Sequence, residues 1–100
     1  MAFFMLKLNG PRPSFPGDAS GEELAAMAEH SVYWKCKAED RLAIAVGPVL
    51  DPAGPFGMAI VDCADPAAAR LLADDDPVIR AGLGFGYDIF PIPSLILRQA

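Results

Sequence analysis

One histidine and two cysteines are all the chain offers in imidazole and thiol ligands, and that scarcity excludes much. A structural zinc site needs about four ligands. Cys36 and Cys63 stand far apart with no CxxC, so the reading is free, packed thiols in a reducing cytoplasm, with no metal and no organic cofactor. Positive charge is scarce too: 8 Lys+Arg stand against 13 Asp+Glu, a formal net charge of -5, with no basic cluster. Nucleic acid and anionic membrane are therefore not expected partners. No run approaches the ~18 apolar residues of a membrane span. The opening "AFFMLKL", interrupted by Lys7, is too short for a secretory signal. No repeat, low-complexity tract or linker appears, which leaves one domain over residues 1–100 and a cytoplasmic location as the expectation.

Apolar side chains are what the chain has in excess. Hydrophobic residues make up 53% and charged residues 21%, a balance suited to a small core plus an apolar face that needs cover. "AFFMLKL" reads as a buried strand ended by the breakers of "NGPRPSFPG". Ser20 with Glu23 three residues later forms a capping-box pattern, so a helix starts there and runs to about Asp40. On its wheel Leu24, Met27, Ser31, Trp34 and Ala38 share the face expected to meet the core, with Glu22, Glu29 and Asp40 opposite. "LAIAVGPVL" is a second strand, ended or bulged by Gly47-Pro48. "DPAG" is a turn and "PFGMAIVD" the returning strand. Asp65-Pro66 opens a second helix with Leu71 and Leu72 on its apolar side, and "GFGYDIFPIP" is the last strand.

The order β-α-β-β-α-β is the split βαβ, ferredoxin-like α+β arrangement: a four-stranded antiparallel sheet with both helices on one face. All four strands carry apolar residues at both parities, so the bare face also needs cover. The simplest cover is a second copy, giving a homodimer through the sheet face.

Two places ask for chemistry. "ADDDP" puts three acids at the unfavourable end of the second helix. Asp76 with Pro77 resolves this as the N-cap of a further short turn through Ala81, accepting from Val78 or Ile79. Asp75 reads as a surface acid and Asp74 stays open. His30 lies ~70° from the centre of the expected apolar face, beside Trp34. It is either a boundary histidine against that ring or a general base at a pocket edge, its tautomer fixed by a carboxylate. "GLGFGYD" precedes a strand rather than a helix and so is no phosphate loop. Ser14, Ser31 and Ser94 sit in no nucleophile elbow. Of Tyr87 and Asp88, alternation sends one inward and one outward.

With His30 in the first helix, Gly47-Pro48 in the second strand and Asp74-Asp75-Asp76-Pro77 closing the second helix, the chain resembles the YciI-like (YCII-related) family. The resemblance implies a ferredoxin-like fold paired as a dimeric α+β barrel, and a His/Asp-centred site on His30 and Asp76, with Asp74 as the alternative carboxylate. A related member is a lyase that eliminates hydrogen chloride from a ring compound. Two positions depart from the family pattern: Met27 stands where an arginine is common, and Trp34 where a leucine is common. The expectation is a small-molecule pocket in which His30 and Asp76 carry cofactor-independent proton transfer, of isomerase or lyase type, on a small cyclic carbonyl compound. Trp34, Gly47, Pro48 and Asp74 would contact the substrate, and amides near Gly47 would hold an oxyanion. The alternative is a non-catalytic dimeric binding or accessory module in which His30 and Asp76 are structural.

Overall fold

The computed structural model describes residues 2–99. Its elements run β1 (Ala2–Asn9), α1 (Gly21–Glu39), β2 (Ala43–Val49), β3 (Phe56–Cys63), α2 (Pro66–Asp74), α3 (Pro77–Arg80) and β4 (Gly86–Ile92). The strands form one antiparallel sheet in the order β2-β3-β1-β4, the ferredoxin-like topology. Among the described residues no helix is long and apolar enough to cross a membrane.

Local signals set most of the boundaries. The Ser20 hydroxyl accepts from the Glu23 amide at 3.1 Å, and the Glu23 carboxylate accepts from the Ser20 amide at 2.9 Å, the complete capping box. Such a cap contributes ~1 kcal/mol. Asp65 accepts from the Ala68 amide at 2.9 Å and starts α2 with Pro66 in its first turn. Asp76 accepts from the Val78 amide at 3.0 Å and starts α3 with Pro77. In "DPAG" the Gly54 amide donates to the Asp51 carbonyl at 2.9 Å. Gly82 follows α3 at φ 67°, a left-handed conformation that a side chain would strain.

Alternation along the sheet separates its two faces. Phe4, Leu6, Leu8, Ala59, Val61 and Cys63 are buried on the helix-covered side. Leu6, fully buried at the centre, would cost ~2–5 kcal/mol on truncation to Ala. The other face carries Met5 with Ile60 and Phe90 as its cross-strand partners, and Phe3 opposite Ile92.

Four expectations are corrected. Gly47-Pro48 neither ends nor bulges β2; the ladder runs on to Val49, and the irregularity lies between Ala43 and Ala45. β2 is an edge strand, where a missing proline N–H costs little. Leu71 is 63% exposed, because α2 turns Ala69 and Ala73 inward instead and so lies close to the sheet. Cys36 is exposed and only Cys63 is buried; both are free.

The largest correction concerns α1. Leu24, Ser31 and Ala38 are exposed, and the inward residues are Glu23, Ala26 and Trp34. At ~100° per residue Ala26 and Trp34 lie about 80° apart and His30 bisects them. The histidine therefore occupies the middle of the inward face, and the helix is rotated by about 70° from the orientation its apolar residues implied.

Candidate functional site

The rotation has a partner that explains it. α3 lies against α1, and Asp76, its cap, is fully buried. His30 Nδ1 lies 2.7 Å from Asp76 Oδ2. Trp34, one turn further along α1, donates its indole N–H to the same oxygen at 2.9 Å. Tyr87, facing inward from β4, donates its hydroxyl to that oxygen at 2.5 Å. Asp76 Oδ1 is the N-cap acceptor for Val78. Trp34 N–H also reaches the Tyr87 hydroxyl at 3.1 Å, so indole, phenol and carboxylate form one closed network. Three side chains, from α1 and β4, thus converge on the one carboxylate that caps α3.

The electrostatics reflect the donor count. Burial pushes the Asp76 carboxyl up, but hydrogen bonds from His30, Tyr87 and Val78 outweigh it and hold the group below the usual carboxylate range. Burial, and then its bond to the Asp76 anion, raise the Tyr87 phenol well above the ordinary tyrosine value. Tyr33, on the same helix as His30, is pushed up to about 12 by burial and by the Asp75 and Asp76 charges. An ionised Asp76 only accepts, so His30 must present Nδ1–H to it. In a neutral ring Nε2 is then the basic nitrogen. Among the described residues Nε2 has no hydrogen-bond partner, and no buried side-chain nitrogen or oxygen is left unpaired, so Nε2 has accessible surface.

His30 also lines a cavity of about 680 Å³ between α1 and the β2–β3 part of the sheet. Trp34, Gly47 and Pro48, expected at a binding site, line it as well. Gly47 sits in the ladder opposite Met58, and Pro48 has no N–H, so this stretch is not a nest of successive amides. Asp74 is elsewhere: it is exposed near the end of α2, 3.7 Å from Arg70, and does not border the cavity. Asp75 is likewise a surface acid, 3.6 Å from Arg80. Among the described residues no cluster of three potential metal ligands occurs.

Sequence reasoning missed two parts of the site. The role of Tyr87 was half visible, since alternation places it on the same side as Ile89; that its hydroxyl meets Asp76 was not. The other part is the outer wall. Phe15 and Pro16 of the first loop border the cavity, and the Phe15 ring meets Phe85 edge-on at 5.0 Å. Arg12 holds this loop in place with a bidentate pair to Glu23 at 2.7 and 2.8 Å, and with bonds to the Asp18 carboxylate and carbonyl. The Arg12 bond, and then the Ser20 amide, lower the Glu23 carboxyl to about 2. Glu23 was legible only as a capping residue because its second partner lies in a loop without periodicity.

Fold and site together define an α+β protein of ferredoxin-like topology with a histidine–carboxylate pair at the wall of an apolar cavity. The YCII-related domain matches residues 2–93, and the chain belongs to that family. Comparison with curated proteins yields none that matches.

Proposed function

We propose that the protein is a small-molecule enzyme whose His30 carries cofactor-independent proton transfer, of isomerase or lyase type, on a small cyclic carbonyl compound. The observation that supports this reading is the single basic nitrogen at an apolar cavity: Nδ1 is tied to a buried carboxylate and Nε2 is left accessible. Asp76 would fix the tautomer and stabilise the imidazolium formed when Nε2 takes a proton. Trp34 and Tyr87 would keep Asp76 ionised and in place. General-base assistance of this kind contributes ~10²–10⁴ in rate. The test is α-proton exchange of small cyclic ketones in D₂O followed by NMR. The native chain is expected to catalyse exchange, His30→Asn to abolish it, and Asp76→Asn to slow it by at least tenfold. Exchange that survives in His30→Asn would refute the base assignment.

The second reading is a non-catalytic binding module. It is favoured by one feature: no aspartate or glutamate lines the cavity, so no second carboxylic acid stands opposite His30 to complete an acid–base pair. Saturable binding without exchange in any ketone tested would select it.

For either reading we propose a homodimer through the bare sheet face, supported by the Ile60–Met5–Phe90 row and by Phe90 standing 46% exposed. Sedimentation giving a folded monomer at micromolar concentration would overturn this. Free Cys36, exposed and unpaired, supports a reducing cytoplasm as the location.

A further inference from the structure

The protons of the polar side chains around His30 are already committed. Trp34 Nε1–H goes to Asp76 and to the Tyr87 hydroxyl, the Tyr87 hydroxyl donates to Asp76, and the Ser31 hydroxyl donates to the Met27 carbonyl at 3.2 Å. His30 spends Nδ1–H on the same carboxylate, which leaves Nε2 as an accessible lone pair. Lys35 touches the lining but is exposed and lies about 140° around α1 from His30, so its ammonium is no partner for a group held at Nε2. The backbone adds little. Pro16, Pro48 and Pro55 have no N–H, and Gly57, Met58 and Ala59 sit in β3, paired with β1 on one side and β2 on the other. Among the described residues no aspartate or glutamate lines the cavity. The surroundings of Nε2 are thus an apolar surface with one fixed acceptor.

We propose that the cavity binds neutral cyclic compounds that present an O–H or N–H, with that proton donated to His30 Nε2. This rests on the reading of the cavity as a small-molecule site and names its ligand class; it does not depend on catalysis. A ketone brings only an acceptor, and beside a lone pair it gives up its bonds to water without replacement. An O–H or N–H is matched. For the carbonyl compounds proposed as substrates, the form selected is the enol, the one that carries an O–H. Asp76 sets this preference: by accepting from Nδ1 it makes the free nitrogen of the neutral ring the acceptor.

The test uses two bicyclic probes of similar size, indole, whose N–H only donates, and 1-indanone, whose carbonyl only accepts, followed through the ¹³C-methyl signal of Met27, a lining residue, in the full chain. Met5, on the opposite face of the sheet, is the internal control. In the native chain indole is expected to shift Met27 saturably, to leave Met5 unmoved, and to bind more tightly than 1-indanone. His30→Leu should weaken indole about fivefold, the loss of one neutral hydrogen bond, and change 1-indanone less than twofold. Asp76→Asn should reverse the preference, because its neutral ring carries the proton on Nε2 and becomes a donor: indole weakens and 1-indanone tightens, each about fivefold. Damage to packing alone would weaken both probes together. Should Asp76→Asn not fold, the His30→Leu comparison decides. Tighter binding of 1-indanone by the native chain, an equal effect of His30→Leu on both probes, or no reversal in folded Asp76→Asn would overturn the proposal while leaving the cavity a binding site. If neither probe moves Met27 in the native chain, the small-molecule reading falls together with the proposal.

Discussion

Replacing Asp76 by asparagine removes one charge and almost no volume, and the contacts around the carboxylate determine the cost. Asparagine keeps one oxygen, which can still accept from the Val78 amide, so the cap survives. The other position becomes an NH₂ facing three groups that donate to it in the native chain: His30 Nδ1, Trp34 Nε1 and the Tyr87 hydroxyl. The hydroxyl can rotate to accept, and the indole retains Tyr87 at 3.1 Å. The imidazole can relieve the clash only by moving its proton from Nδ1 to Nε2. Charge-assisted bonds worth ~1.5–3 kcal/mol each are exchanged for neutral ones of ~0.5–1.5. With two of the three substantially weakened, the loss is about 2–4 kcal/mol. For a domain of this size that is a fall in Tm of about 10–25 °C. Differential scanning calorimetry at pH 7 gives the first readout, with Asp74→Asn and Asp75→Asn, both exposed, expected within ~0.5 kcal/mol of the native chain. The second readout is ¹⁵N NMR of the one histidine, in which the neutral ring should change from the Nδ1–H to the Nε2–H tautomer. A variant as stable as the native chain, or one with the native tautomer, would refute the convergence on Asp76.

Acid should expose the same carboxylates. Asp76 and Glu23 both have folded values below their unfolded ones, so their stabilisation is fully present above about pH 4.5 and is lost as pH falls through the folded values, about 2 for Glu23. Denaturant midpoints should drop below pH 4.5, with a shallower drop in Asp76→Asn. Arg12→Gln should release the first loop, read as faster proteolysis within residues 10–19 and a lower Tm. The two cysteines should separate cleanly: iodoacetamide alkylates exposed Cys36 in the native protein, while Cys63, buried and with its thiol pushed up by that burial, reacts only on unfolding.

What could be read from the sequence was local. Ser20 with Glu23, Asp65-Pro66 and Asp76-Pro77 each carry their reason within four residues, and each is a helix start in the structure. The ferredoxin-like arrangement followed from element order. The orientation of α1 did not, because periodicity ranks side chains by hydrophobicity and assumes the apolar ones meet the core. Here Leu24 borders a cavity and the inward centre goes to a histidine, whose burial is satisfied by a carboxylate 46 positions away. Trp34 was placed beside His30 correctly, but its N–H contact with Asp76 is a tertiary fact, as is the Tyr87 bond. Leu71 misled for a related reason: where α2 lies close to the sheet, small Ala69 and Ala73 occupy the contact and the larger leucine is turned out.

The Arg12 fastening bears on how the protein can diverge. The His30–Asp76 pair is built from α1 and the cap of α3 in the packed interior, where a change of one methylene is felt. The outer wall of the cavity is a loop held chiefly through one guanidinium. Loop length costs little in closure entropy, each doubling adding about 0.6 kcal/mol. Provided Arg12 and its two acids persist, residues around Phe15 can be exchanged, lengthened or shortened without disturbing the His30–Asp76 pair. A lineage descended from such a chain can therefore reshape the mouth of the cavity by rewriting roughly ten residues, while the interior behind it stays as it is.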